Sequence, residues 1–199
     1  MQSQQLPAFK EFVDHLREIW SREPDTQKRM EQARPLMERL LHDHTLKAHS
    51  KDWMSTEGRK NLLLHVDDEF GFVVNAVVRM PGRTGSIHDH ANAWVLYGVL
   101  DGTESLERYE RVDDGSRAGY AEVKLQSVTT GSQGKVDLVA PFDIHAEQGG
   151  PTRSVAVILR SQRLGEGTVL QNQYDMAENS VTQQYGPTQI PFALLEPAA

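Results

Sequence analysis

Two histidines, His88 and His90, stand one residue apart in the segment Gly85-Ser86-Ile87-His88-Asp89-His90. On an extended strand, residues i and i+2 share a face, so both imidazoles point one way and Asp89 points the other. Paired imidazoles in that geometry suit a divalent metal. Such a pair has two readings: joint metal ligands, or one interior and one surface histidine. The glycine-rich approach through Gly82 and Gly85 favours the ligands. A third histidine, His145, follows the turn Pro141-Phe142-Asp143-Ile144 far along the chain. In a curled antiparallel sheet distant strands become neighbours, which would bring His145 onto the pair. Three neutral imidazoles leave coordination positions open, as redox iron or catalytic zinc requires and a closed structural site does not. Asp89 and Asp143 then stand outside the ligand set, supporting it or facing solvent. His42, His44 and His49 lie in a charged stretch and read as solvated.

The chain has no cysteine, so disulfides, thiolate metal sites and a cysteine nucleophile are excluded. The net charge of −7 gives no general attraction to nucleic acid or to an anionic membrane. A local basic pocket is compatible with that balance, and Arg59, Arg79, Arg83, Arg153, Arg160 and Arg163 are available to build one. No apolar run is long enough to span a bilayer, and the amino terminus lacks the apolar core of a secretion signal, so a cytoplasmic location is expected.

The elements that must position the histidines are mostly strands. The run Val73 to Val78 reads as one strand, Pro81, Gly82 and Gly85 redirect the chain, and the histidine strand is expected to continue through Trp94 to Leu100. On that continuous strand Trp94 shares the histidine face and Tyr97 the opposite one. Asn61–Val66, Glu104–Tyr109, Ala121–Thr129, Val136–Ala140 and Ser154–Arg160 read as further strands, with Asp101-Gly102 as a turn. At least seven short strands with frequent turns predict a sandwich or barrel. Ahead of them, Phe9, Phe12, Val13, Leu16, Ile19 and Trp20 follow helical spacing, and a second helix after Pro24-Asp25 is expected to bend or divide at Pro35. One domain is expected over 1–199, with a helical segment at 1–50, a barrel core at 55–160 and a wrapping segment at 161–199. In the last of these, Tyr174 and Tyr185 read as packing residues or as contributors to a pocket.

The spacing Gly82, five residues, His88-Asp89-His90, four residues, Val95, six residues, Gly102 resembles the first cupin motif. The strand and His145 after Pro141 resemble an abbreviated second motif. The resemblance, over about residues 55–160, implies a mostly β cupin fold: a double-stranded β-helix, or jelly-roll barrel, with the N-terminal helices packed outside. A usual cupin carries a metal-binding Glu where this chain has Val95. Its loss, with the Gly-x-x-Gly-Ser-Ile approach, is similar to the thiol dioxygenase family of cysteine dioxygenase and 3-mercaptopropionate dioxygenase.

Carried over by position, that resemblance makes His88, His90 and His145 the ligands of Fe(II), with O2 as co-substrate and a small carboxylate-bearing thiol converted to its sulfinic acid. It makes Arg59 the arginine that holds the substrate carboxylate, which its planar fork suits. It also implies a homo-oligomer, since cupin barrels pair through sheet edges or exchanged termini. One stretch departs from the family. Where the family has Ser-x-His-x-Tyr, this chain has Ala156, Ile158 and Arg160. Arg160 points to a second anionic group on the substrate, or to a carboxylate of the protein. The departure keeps open another metal-dependent cupin enzyme (a C–C cleaving dioxygenase, a lyase or an isomerase) and a non-catalytic small-molecule-binding cupin.

Overall fold

A computed structural model of the chain describes residues 5–163 and 170–196. Three helices come first: α1 (Pro7–Arg22), α2 (Thr26–Leu41) and α3 (His44–Ser50). Pro7 opens α1 where a missing N–H costs nothing, and Asp25 and Asp43 cap α2 and α3 by accepting from the Lys28 and Leu46 amides at 2.9 and 2.7 Å. The expected bend or break at Pro35 does not divide α2, which runs on as one helix to Leu41. Pro35 is removed from the apolar stripe of Met30, Ala33, Met37, Leu40 and Leu41, so packing holds the helix across it.

Among the described residues twelve strands follow and form two six-stranded sheets. The first sheet contains β1 (Lys60–Val66), β2 (Val73–Arg79), β4 (Val95–Asp101), β7 (Val136–Val139), β9 (Ser154–Arg160) and β12 (Thr188–Pro191), in the order β12-β1-β2-β9-β4-β7. The second contains β3 (Ile87–His88), β5 (Thr103–Arg111), β6 (Val123–Ser132), β8 (Ile144–Gly149), β10 (Leu170–Asp175) and β11 (Ser180–Tyr185), in the order β11-β10-β3-β8-β5-β6. Pairing is antiparallel throughout except between β1 and β12.

The first sheet is covered on both faces, which is why β2, β4 and β9 read as nearly continuous apolar runs. Alternate residues (Val74, Ala76, Val78, Leu96, Val157, Leu159) pack outward against the helices. Each large side chain buried there contributes about 1.5–3 kcal/mol. Gly98 permits the close approach of α2, because a Cβ there would lie 2.5 Å from the Leu41 Cδ1. The other alternation turns inward and gives Val77, Val95, Tyr97, Val99, Ala156 and Ile158. Asn75, Arg79, Ser154 and Arg160 share that inward parity and are buried too. Polar chemistry is thus threaded through the apolar wall of the barrel.

The histidine strand differs from the expectation of one run from His88 to Leu100. It ends at His88, and β4 begins at Val95 in the opposite sheet. Ala91, with φ of 48°, makes the turn between them. This resets the parity: Tyr97 points into the barrel, while Trp94 packs with the helix-side core. Among the described residues no helix is long and apolar enough to cross a membrane. Residues 164–169 and 197–199 of the expected C-terminal wrapping segment lie outside the described residues.

Candidate metal centre and its cavity

Register brings the distant histidines together. On adjacent strands, His88 of β3 stands directly opposite His145 of β8. His90 is swung onto them by the turn that follows it. That turn is anchored by Asp89, fully buried behind the pair: its carboxylate accepts from the Ala91 and Asn172 amides at 3.0 Å, the Asn172 side chain at 2.8 Å and the Tyr174 hydroxyl at 3.1 Å. The C-terminal hairpin therefore fixes the histidine loop from outside. Tyr174 belongs to that anchor and Tyr185 is exposed, whereas Gln171 and Gln173 of the same segment line the cavity.

The three rings have centroids 4.5–4.9 Å apart, and one nitrogen from each lies within 4.8 Å of the others. His88 Nδ1 faces the Ser86 carbonyl at 2.9 Å and His145 Nδ1 faces that of Asp143 at 2.8 Å. A carbonyl only accepts, so both Nδ1 atoms donate and both Nε2 lone pairs are left for a metal. Among the described residues, His145 Nε2 and His90 Nδ1 are buried without a hydrogen-bond partner. Burial, reinforced by the neighbouring imidazoles, pushes His90 well below its ordinary range and His145 down to about 4. The residues fit a divalent metal: neutral imidazoles with orphaned nitrogen atoms converging on one point.

Val95, at the position of a carboxylate in the sequence motif it resembles, is buried in the interior apolar cluster. The neighbouring carboxylate is instead Glu147, two residues beyond His145 on the same face of β8, with Oε1 3.5 Å from His145 Nε2. Burial alone would raise its carboxyl, but His145, His88, Arg79 and Arg160 outweigh burial and hold it low. Gly85 keeps this strand close, since a Cβ there would sit 2.4 Å from the Glu147 carbonyl oxygen. Sequence reasoning passed over Glu147; the signal was its i+2 spacing from His145.

A cavity of about 380 Å³ opens onto His88, His90, Tyr97, Glu147 and Arg160. Arg79 enters from β2, donating to both Glu104 carboxylate oxygens at 3.1–3.2 Å and to the Tyr97 hydroxyl, with Glu147 Oε2 at 3.5 Å. Ser154 completes this buried network by donating to Glu104 at 2.7 Å. Arg160 is 4% exposed; it donates to Asn75 Oδ1 and, with the Asn61 amide turned to satisfy its neighbours, to Asn61 Oδ1 at 3.2 Å. Arg59 lies at the exposed mouth, donating to the Gln184 side chain and to the Tyr185 carbonyl at 2.7 Å. Among the other sequence candidates, Arg83 lines the cavity, while Arg153 binds the Ser50 and Trp53 carbonyls and ties α3 to the barrel. His42 and His44 are exposed, and His49 accepts from the Trp53 indole at 2.8 Å.

No family model matches the chain. Among solved structures, it is similar to an oxalate oxidase in complex with the substrate analogue glycolate, at 18% identity, covering 56% of each chain with a TM-score of 0.44. It is similar to a Klebsiella pneumoniae protein with a double-stranded β-helix domain, at 16% identity, covering 63% of this chain and 93% of that one, with a TM-score of 0.42. A third likeness is to the DMSP lyase DddQ from Ruegeria pomeroyi, at 15% identity, covering 46% of this chain and 39% of the lyase, with a TM-score of 0.36. The chain thus spans about two fifths of the lyase and just over half of the oxidase. These are likenesses of fold. Two six-stranded sheets in the observed order, with the helices packed against the first, make a mostly β barrel.

The histidine site carries a proton balance that can be measured. His145 binds its proton at about 4 when folded, against an ordinary value near 6.5. Between those values the unfolded chain holds the proton and the folded one does not, so stability falls as pH drops from 6.5 towards 4 and then levels off for this group. Urea titrations of metal-free protein at pH 7.5, 5.5 and 4 are expected to show this group removing about 3 kcal/mol across that window. Stability unchanged from pH 6.5 to 4 would mean that the imidazole is not held neutral.

Proposed function

We propose that this protein is a cupin of the non-haem Fe(II) thiol dioxygenase type, converting a small carboxylate-bearing thiol to its sulfinic acid with O2. The observation that carries the reading is the combination of three converging histidines, no carboxylate at Val95, and a cavity walled by cations. His88, His90 and His145 are the residues that would hold the iron. Ferrous iron held there would lower the pKa of a thiol and let O2 react with sulfur, whose own four-electron oxidation to the sulfinate supplies the electrons. The protein's part is binding and orientation. Arg160 meets the carboxylate inside the cavity, and Arg59 and Arg83 draw the anion to its mouth. Tyr97, pinned by Arg79 and Glu104, presents a hydroxyl that burial keeps protonated. Val77, Val95 and Ile158 keep the surrounding wall apolar and exclude water.

The balance is simple: one thiol and one O2 give one sulfinic acid, with both oxygen atoms on sulfur. The test is O2 uptake by anaerobically iron-loaded protein offered cysteine, 3-mercaptopropionate, mercaptosuccinate and bulkier thiocarboxylates, with samples lacking iron or thiol alongside. Uptake matched one-to-one by sulfinate is the expected result. Stoichiometric iron with no uptake for any thiol would overturn it. One observation favours a second reading: Glu147, ionised and beside His145, is placed as an acid–base group for a metal-dependent lyase or isomerase. Iron loading without O2 uptake is the outcome that reading expects.

A further inference from the structure

Arg160 is a buried cation that, among the described residues, makes no salt bridge: Glu147 acts on it through space without direct contact. Its hydrogen bonds go to two neutral amides, Asn75 and Asn61, and among the described residues its Nε has no partner. Arg79, in the same wall, shows the contrast, with Glu104 and Glu147 both at its guanidinium. A desolvated guanidinium whose hydrogen bonds go only to neutral amides is a place prepared for an anion from outside.

A second such place lies at the mouth. Arg59 donates to Gln184 and to the Tyr185 carbonyl, and Arg83 donates to the Thr56 and Gly58 carbonyls; these acceptors are all neutral. The two positions are linked through β1: Arg59 stands exposed just before the strand, and Asn61, two residues on, is buried and bonds Arg160. One cavity of about 380 Å³ therefore has a cation at depth and cations at its entrance, in a chain whose net charge is −7. Surplus positive charge inside an acidic protein selects anions, and two separated positions select two anionic groups.

We propose that the substrate of this site is a short dicarboxylic acid, one carboxylate held by Arg160 beside the histidines and the other by Arg59 and Arg83 at the mouth. The proposal relies on the thiol-oxidation reading for the identity of the reacting group, but the two carboxylates are argued independently of sulfur.

The test uses sulfur-free probes. Calorimetric titration of the full-length protein, metal-free and with anaerobic iron, compares succinate with butyrate, which has the same carbon count and one carboxylate. Succinate is expected to bind at least tenfold more tightly. Arg160→Leu should weaken both acids at least tenfold. Arg160→Lys, which keeps the charge and the fold but loses the planar fork, should fall between. Arg59→Gln should bring the succinate-to-butyrate ratio towards one. Equal affinity for the two acids, or unaltered binding in a folded Arg160 variant, overturns the proposal. Because neither acid contains sulfur, its failure is distinct from failure of the O2 assay.

Discussion

Replacement of His145 with Ala is expected to leave a folded barrel that no longer retains iron. Loss of a group that merely orients a metal ligand costs ten- to a hundredfold in affinity. Removing one of three ligands should therefore weaken binding by about a hundredfold or more. The barrel survives because the change is nearly balanced. The imidazole contributes packing, but its Nε2 is buried without a partner among the described residues, and such an orphan costs about 1–3 kcal/mol. Bound iron after desalting, measured by atomic emission, reads the first effect, and the urea midpoint reads the second. The acid-dependent loss of stability between pH 6.5 and 4 should shrink in the same variant, because its proton ledger is gone. His42→Ala, at an exposed position remote from the site, is the control. Equal iron content in the two variants would sink the three-histidine assignment.

Arg79→Met is expected to produce the largest loss of stability of any single charge removal, about 3–5 kcal/mol. The reason is what the cation leaves behind. Glu104 is 1% exposed and Glu147 is 6% exposed, and both face the Arg79 guanidinium. Without it, two buried carboxylates and the Tyr97 hydroxyl lose the group that burial makes them need. Arg79 itself remains firmly charged, because Tyr97, Glu104 and Glu147 together outweigh the burial that opposes its charge. Removing Glu104 as well, as Arg79→Met with Glu104→Leu, should recover much of the loss, since an apolar pair of similar volume replaces a desolvated one. The surface pair Lys10–Asp14, with both side chains more than half exposed, offers the comparison: Lys10→Met should cost less than about 1 kcal/mol. Denaturant midpoints for the four proteins decide the matter. A shift for Arg79→Met no larger than for Lys10→Met would show that the buried cluster is not a network.

How far the residues could be read in advance depended on whether each relation was local. The helical stripe from Phe9 to Trp20, the alternating strands and the His88–His90 pair all follow from spacing within a few residues, and the structure realises them. The expectation that His88 to Leu100 is one strand broke at Ala91, where a positive φ in a non-glycine residue carries no reliable sequence signal. That single turn reversed Trp94 and Tyr97, so a parity argument correct on either side of it failed across it. Of the bend or break expected at Pro35, the break did not occur, because tertiary packing of α2 outweighed a local breaker.

By itself, then, the sequence determined that this is a mostly β chain with outer helices, that no cysteine thiolate takes part, and that His88 and His90 stand together. Local period and composition suffice for those conclusions. Tertiary structure alone decided that His145 faces His88 across β3 and β8, that Glu147 flanks the centre, and that Arg79 is salt-bridged while Arg160 bonds only neutral amides. It also moved Arg59 to the mouth. The physical reason is that a charge is defined by its surroundings, and these surroundings come from strands far apart in the chain. Asn75 and Arg160 are separated by 85 residues, yet antiparallel pairing of β2 with β9 makes them neighbours.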